Sequence, residues 1–540
     1  MTLDLVLVCI VLFAVRWIMQ RRQHFTYFKT LGIPGPEPSL FLGNMMELYQ
    51  KTPTVVYREW INKYGKVVGY FNGYRPVLLV ADLEVLKNVQ VRNFQDFLDR
   101  ALLFQNKRPS SPHDKSIMQL MGTRWKEVRS VLTPSYTSAK LKMMSGSVIS
   151  TVEELMGRLQ QVAQKNEEFE IGPMYQALTL DLISRSALGI NLKIQQNPKH
   201  PFLTSINMLF GCTFSFIAVL LASFPGLEGP LRVLNGWRLR RINGGVHPFS
   251  EVQEKCKSII RQRQKTDVKL PPQKDLLQLM IEAKKSKVDV TSVTSEQLTA
   301  ADENEHELKV LTQGTNVLNH SSKTVLDDDD IIQNAFFVLV AGFETTSNSM
   351  AFITHMLVNY PEVQEKVRQE LLSVLEPDEE ITYNTIQKLP YLHCVVCETM
   401  RMYPPIFGFV TREAAVDKQY GKLKIPAGTA VMSAVEYIHN DPDNWDNPHV
   451  FNPDRFLPEN KQKFNPLAWQ PFGAGPRNCI GMRFAQMEIR FTFAHILRKY
   501  RLVPTENTEK DPPNLDMNPL VLRIKNGVHV KAVLLQNGLH

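Results

Sequence analysis

Cysteine is scarce. Six occur in 540 residues, at irregular spacings: Cys9, Cys212, Cys256, Cys394, Cys397 and Cys479. This excludes a secreted disulfide framework and points to a reducing compartment for the main body. A structural zinc site needs four ligands, and Cys394-x-x-Cys397 has no second pair at suitable spacing. That pair reads as the core of a helix. Clustered basic residues are also lacking. The net charge of +8 is dispersed along the chain, which argues against nucleic acid and leaves a basic face for an acidic partner or anionic lipid. No linker-like stretches divide the chain, although its length allows several domains. One large domain, residues 39–540, therefore stands behind an N-terminal segment.

Long apolar runs are few. Leu5–Val15 is continuously apolar, preceded by Asp4 and followed by Arg16, Arg21 and Arg22. It is short against the ~20 residues of a membrane span, yet no small-residue cleavage site follows it. The basic side stays cytosolic by the positive-inside rule. Residues 1–22 thus read as an uncleaved, single-pass transmembrane anchor helix. Residues 23–38, basic and then proline-rich at Pro34, Pro36 and Pro38, read as a hinge that decouples the anchor's direction from the body. Pro201–Leu227 carries no charge and invites a second span. Asn207, Thr213, Ser215 and Ser223 dilute it, and a span there would put Trp125 and Cys479 on opposite sides of the membrane. A roof over a pocket, buried or dipping into the membrane, is expected instead. Residues 289–330 are polar and read as a mobile surface insert. Its Asn319-His320-Ser321 matches a glycosylation acceptor, which a cytosolic body would leave unused.

The chemistry concentrates in Gln470–Gly481, QPFGAGPRNCIG. Cys479 offers a soft thiolate ligand, and the amphipathic stretch from Ile480 to about Tyr500 places a helix N-terminus behind it, which stabilises an anion. Gly473, Gly475 and Gly481 permit positive-φ turns and close approach to something flat. Arg477 supplies a fixed charge for a carboxylate, and Phe472 an aromatic wall. Phe-x-x-Gly-x-Arg-x-Cys-x-Gly resembles the haem-thiolate loop of the cytochrome P450 family, in which the thiolate favours O–O cleavage.

Four further stretches resemble that family in order. Trp125-x-x-x-Arg129 puts an indole and a guanidinium on one helix face, suited to a porphyrin propionate. A helix from Ile331 to about Asn359, started by Asp327–Asp330, carries Ala341-Gly342-Phe343-Glu344-Thr345-Thr346. A mid-helix glycine costs about 1 kcal/mol against alanine, so Gly342 implies a packing or functional need. Dioxygen activation consumes two protons, so the hydroxyl of Thr345 beside the acid of Glu344 forms a candidate relay. Taken alone, a helical threonine bonds its own backbone. Glu398-x-x-Arg401 reads alone as a surface pair. The resemblance makes it, with Arg455, a buried triad that positions the loop.

Elsewhere the pattern predicts a hairpin, Lys66–Phe71 and Arg75–Val80, turning at Asn72-Gly73. Asp82 reads as an N-cap, and Pro361 as the first residue of a helix with stripe Val363, Val367, Leu371 and Leu375. Lys422–Ala434 reads as strand, turn, strand, and Asn440–Pro458 as irregular coil.

The resemblance covers the chain from about Gly32 onward. It is strongest to the microsomal branch holding the vertebrate family-3 drug oxidases and thromboxane synthase. It implies a mainly α fold with small β-sheets. The implied cofactor is haem b (iron protoporphyrin IX), with Cys479 as axial iron ligand and Arg100, Trp125, Arg129, Arg412, Phe472 and Arg477 around it. Electrons would come from NADPH through NADPH–cytochrome P450 reductase, with cytochrome b5 as a second partner, at the endoplasmic reticulum membrane. The implied reaction inserts one oxygen atom from O2 into an apolar substrate, such as a xenobiotic, steroid or fatty acid. The alternative is a thromboxane-synthase-like isomerase of prostaglandin endoperoxides. That enzyme lacks the threonine pair present here as Thr345-Thr346, which favours the monooxygenase. A non-catalytic haem sensor is a third class, but no signalling output domain is evident. Phe337, Val340, Phe407, Phe409 and Val410 are expected pocket walls.

Overall fold

The computed structural model describes residues 2–103, 113–211, 215–265, 275–285, 288–289, 323–324, 326–376, 378–406, 408–518 and 521–535. It divides into two compact units. The first comprises Met1–Arg108, Phe214–Ile242 and Gly408–Tyr437, the second Pro109–Thr213, Asn243–Phe407 and Ile438–His540. The described residues are mainly helical with small sheets, as expected.

A four-stranded sheet organises the first unit. Val67–Asn72 pairs antiparallel with Arg75–Val80. The latter runs parallel to Ala430–Ser433, which pairs antiparallel with Thr411–Glu413. The predicted hairpin forms, but its register sets Asn72 opposite Arg75. The turn residues are therefore Gly73 and Tyr74, one position later than an Asn-Gly turn. Gly73 sits at φ 66°, and a Cβ there would stand 2.3 Å from the Ala222 backbone. Tyr74 N donates to Ala222 O at 2.9 Å. Contact with the helix Phe216–Ser223, invisible to local turn rules, selects the turn.

The N-terminal helix runs unbroken over Thr2–His24, so nothing ends at residue 22. The expected hinge at 23–38 is packed instead. Phe25 and Phe28 are buried, with ring centroids 4.8 and 5.4 Å from that of Phe71. Pro34 O accepts from Gly69 N at 2.9 Å. Gly35 lies so close that a Cβ would meet Gly69 O at 1.9 Å. The prolines do exclude helix, but they stiffen a strap laid on the sheet rather than a swivel. The uncharged stretch from Pro201 gives helices Pro201–Gly211 and Phe216–Ser223, each too short alone to span a bilayer. Asp82 caps its helix, accepting from Glu84 N and Val85 N.

The second unit is built around the helix Asp328–Asn359, about 48 Å long at 1.5 Å per residue. Asp327 and Asp330 form its capping box, and Lys115 and Arg124 pair with them. Gly342 has a packing reason: a Cβ there would stand 2.1 Å from Ile183 Cδ1, on the helix Gly172–Ile183. Pro361 opens the next helix, which buries Val363, Val367 and Leu371. Tyr360 and Tyr403 both donate to Asp511, at 2.9 and 2.5 Å. They tie the strand-rich C-terminal segment to the ends of two helices. Leu423–Ile425 and Ala430–Ser433 are strands as predicted. Most of the 289–330 insert, with its Asn319 acceptor, lies outside the described residues, as do Cys212 and Phe407.

Glu488, on the helix Met482–Lys499, is fully buried beside Thr179, and burial pushes its carboxyl up to about 8. An acid whose folded value is raised binds its proton more tightly when folded. Its contribution to stability is complete below about pH 4.5 and is lost as the pH climbs to about 8. Glu488→Gln should flatten this alkaline loss. Thermal midpoints of wild type and variant across that range check it.

Candidate active site

Backbone bonds fold the loop Gln470–Gly481 onto itself. Gly473 N donates to Gln470 O at 3.0 Å, Asn478 N to Gly475 O at 2.9 Å, and Cys479 N to Phe472 O at 2.8 Å. Gly473 and Gly475 take φ of 72° and 70°, where a side chain is disfavoured. Gly481 does not use that freedom. It caps the following helix at φ −89°. The loop thus turns twice and leaves the Cys479 thiol exposed just ahead of a helix N-terminus. Phe472 stands edge-on to Trp469, centroids 6.0 Å apart.

Behind the loop, Trp125 and Arg129 share a face of the helix Gly122–Leu132, and both are buried. Arg129 donates to Asn478 O and Asn478 Oδ1, each at 3.0 Å. Arg477 is also buried, lies 4.1 Å over the Trp125 ring and donates to Leu120 O at 2.8 Å. The structure therefore gathers Trp125, Arg129 and Arg477 at the residues just before Cys479. Tyr136 joins them. Burial, with the Cys479 sulfur as a second cause, pushes its phenol up.

The expected triad is present. Arg401 meets Glu398 at 2.7 and 2.9 Å, both fully buried, and Arg455 Nε reaches Glu398 Oε1 at 3.2 Å. Arg401 also donates to His439 O at 2.6 Å and Pro448 O at 2.7 Å. Asn452 N donates to Glu398 Oε1 at 3.0 Å. His439 is the residue that sequence reasoning missed. Its Nε2 accepts from Gln470 N at 2.8 Å, and its Nδ1 faces Arg401 O at 3.0 Å. Burial, then the Arg401 cation, lowers it to about 3. The ring is neutral, so Nδ1 donates, and the first residue of the loop is fastened to the triad. It lies on the short helix Val435–Asn440 between the motifs, and no local pattern marked it. Cys394 and Cys397 are buried on the helix Pro390–Met402. Burial pushes the Cys394 thiol up to about 12, as suits inert core.

On the central helix, Glu344 and Thr345 do not bond each other. Thr345 Oγ1 donates to Ala341 O at 2.7 Å. Glu344 is buried and accepts from Asn348 Nδ2 at 3.2 Å; burial raises its carboxyl. Phe337, Val340, Ala341 and Thr345 are half-exposed on a helix whose other faces are largely buried.

The first unit holds the other two candidates. Arg412 is fully buried and donates to Thr411 O at 2.8 Å, and Arg100 to Phe409 O. Burial, with the neighbouring Arg100 cation, pulls the Arg412 guanidinium well below its usual value. Phe409 is half-buried and Val410 buried.

The second unit buries Arg129 and Arg477 against neutral carbonyl or amide acceptors, which suits carboxylates. It adds an accessible thiol in a loop whose glycines allow close approach. That donor set fits iron protoporphyrin, which offers carboxylates and an iron open to a thiolate. The fold and site define a haem-thiolate enzyme. The cytochrome P450 family profile matches residues 33–304 and 302–531. Cytochrome P450 3A6 of Oryctolagus cuniculus is 32% identical over 487 residues, 89% of this chain and 88% of the relative. Thromboxane-A synthase of Rattus norvegicus is 33% identical over 514 residues, 94% and 93% of the two chains. Probable cytochrome P450 6a18 of Drosophila melanogaster is 32% identical over 534 residues, 96% of each. The chain belongs to the cytochrome P450 family.

Removing the charge of Glu398 leaves Arg401 buried without its counter-ion, which costs about 3–5 kcal/mol. Glu398→Gln should lose that stability in chemical denaturation and retain little haem on purification.

Proposed function

We propose that this P450 is a monooxygenase that inserts one oxygen atom from O2 into an apolar substrate, with electrons from NADPH delivered by a separate reductase. The exposed Cys479 thiol between positive-φ glycines and a helix N-terminus is the observation that carries this reading. Haem held there, with Cys479 as thiolate ligand, supplies the redox and oxygen-cleaving chemistry. Trp125, Arg129 and Arg477 would bind and orient its carboxylates, and the family resemblance gives Arg100 and Arg412 the same task. Phe472 would supply an aromatic wall.

Burial raises the Glu344 carboxyl above its ordinary value, which favours proton uptake there, and the Asn348 amide fixes the orientation of Oε1. Thr345 gives its own proton to Ala341 O, so its oxygen lone pairs accept, which suits a relay station rather than a proton source. The half-exposed strip of Phe337, Val340 and Ala341 offers an apolar wall for substrate. The body is expected on the cytosolic face of the endoplasmic reticulum membrane, anchored by residues 1–22, with cytochrome b5 as a second acidic partner for the basic surface.

The likeness to thromboxane-A synthase supports a second reading, isomerisation of a prostaglandin endoperoxide without O2 or electrons. Turnover separates the two. Product from an apolar probe that requires reductase and NADPH supports the monooxygenase. Product from an endoperoxide with neither present, and no NADPH-dependent oxidation of any probe, supports the isomerase. Cys479→Ala should abolish the red-shifted Soret band of the ferrous–CO complex, and its survival would remove Cys479 as ligand. Thr345→Ala should keep that band but release peroxide, lowering product per NADPH several-fold. Unchanged coupling would remove Thr345 from the relay.

A further inference from the structure

The N-terminal helix ends in a cation with an unusual environment. Arg21 is 4% exposed. Its Nε donates to Leu40 O at 2.6 Å, and its Nη2 to Phe41 O at 2.6 Å and Ser223 O at 2.7 Å. The guanidinium lies 5.1 to 5.4 Å from the ring centroids of Trp17, Phe25, Tyr74 and Phe224. All these partners are carbonyls and aromatic faces, and besides Trp17 and Phe25 they come from three separate stretches of the first unit. One turn earlier, Trp17 packs on Phe41 and Phe224, centroids 5.8 and 6.5 Å apart. A planar fork that reaches three carbonyls and is walled by four rings has one geometry.

The surface continuous with this joint is apolar. Ahead of it, Leu5, Leu7, Ile10, Leu12 and Phe13 are each 59% exposed or more. Beside it, Phe41, Phe216, Leu227, Val233, Leu234 and Trp237 are exposed, and Phe216 packs edge-on to Tyr49 at 5.9 Å. Exposed Arg16, Arg22, Arg240 and Arg241 flank the patch. An all-round apolar helix beside an apolar patch with cationic edges matches a bilayer containing anionic lipid. The apolar run Leu5–Val15, bounded by Asp4 and Arg16, is about 17 Å long at 1.5 Å per residue, against a hydrocarbon core of ~30 Å. The run alone is too short to cross that core, so a crossing draws the Trp17–Arg21 joint and the apolar side chains beside it toward the lipid.

We infer that Arg21 locks the N-terminal helix to the Phe41 and Phe224 segments, so that helix and patch form one rigid surface that seats the protein on anionic lipid at a single tilt. The inference rests on the proposed membrane attachment and adds the element that sets orientation. It predicts that attachment and orientation are separable. The test uses the full-length holoenzyme with phosphatidylcholine–phosphatidylserine bilayers, read by co-sedimentation and by linear dichroism of the haem band in aligned multilayers. Wild type and Arg22→Ala should bind and show a strong, equal dichroism. Arg21→Ala should still bind, keep its ferrous–CO band and lose most of the dichroism. Trp17→Ala, which removes the packing but not the charge, should show the same loss and decides the matter where Arg21→Ala does not fold. Dichroism unchanged in the folded variants overturns the lock while leaving attachment standing. Wild type that stays in the supernatant, or pairs with a second copy instead of lipid, overturns the attachment itself.

Discussion

Everything around Cys479 depends on a buried ion pair. Glu398 and Arg401 are both without solvent contact, a placement that desolvation opposes unless every donor and acceptor is matched. Here the matching is extensive. The carboxylate takes Arg401, Arg455 and the Asn452 amide, while the guanidinium spends its other nitrogens on two backbone carbonyls. Those carbonyls belong to His439, at the end of the short helix Val435–Asn440, and to Pro448, in the coil that follows. The ion pair supplies what regular structure does not. His439 then carries the constraint to Gln470 N, where the cysteine loop starts. A neutral imidazole is the right intermediary, since it donates on one side and accepts on the other, and its lowered value keeps it so across the physiological range.

The site was legible where chemistry is written in adjacent residues. The glycine-rich loop, the shared Trp125/Arg129 face and the long helix with its acidic start were read from local pattern and took that form. Glu398/Arg401, by contrast, read locally as a surface pair, and only the family resemblance made it buried, as it is. What escaped reading depends on contacts distant in sequence. His439 is 38 residues from Arg401, and nothing in its neighbours marks it. The hairpin turn moved by one residue because a helix some 150 positions away meets Gly73. The 23–38 segment looked like a hinge because prolines forbid helix. Whether a stiff segment swings or lies flat is decided by what it touches, and Gly35 fits against the Gly69 backbone only because it carries no Cβ.

Glu344 and Thr345 show a different limit. Adjacent residues on a helix point about 100° apart, so an acid next to a threonine in sequence is not beside it in space. In the structure each has its own partner on the helix, Asn348 and Ala341. A relay built from them would have to exchange these bonds rather than use a standing contact, and Thr345, half-exposed on a largely buried helix, has room for that.

The same ion pair orders the history of the chain. Arg401 closes bonds to residues 38 and 47 positions ahead, and Glu398 to one 57 ahead. During synthesis the cluster stays open until Arg455 has emerged, and the cysteine loop follows it out. Loop-closure entropy must be met before such distant contacts are rewarded. The cysteine loop is therefore among the last parts of the second unit able to settle, after most of its helices have emerged.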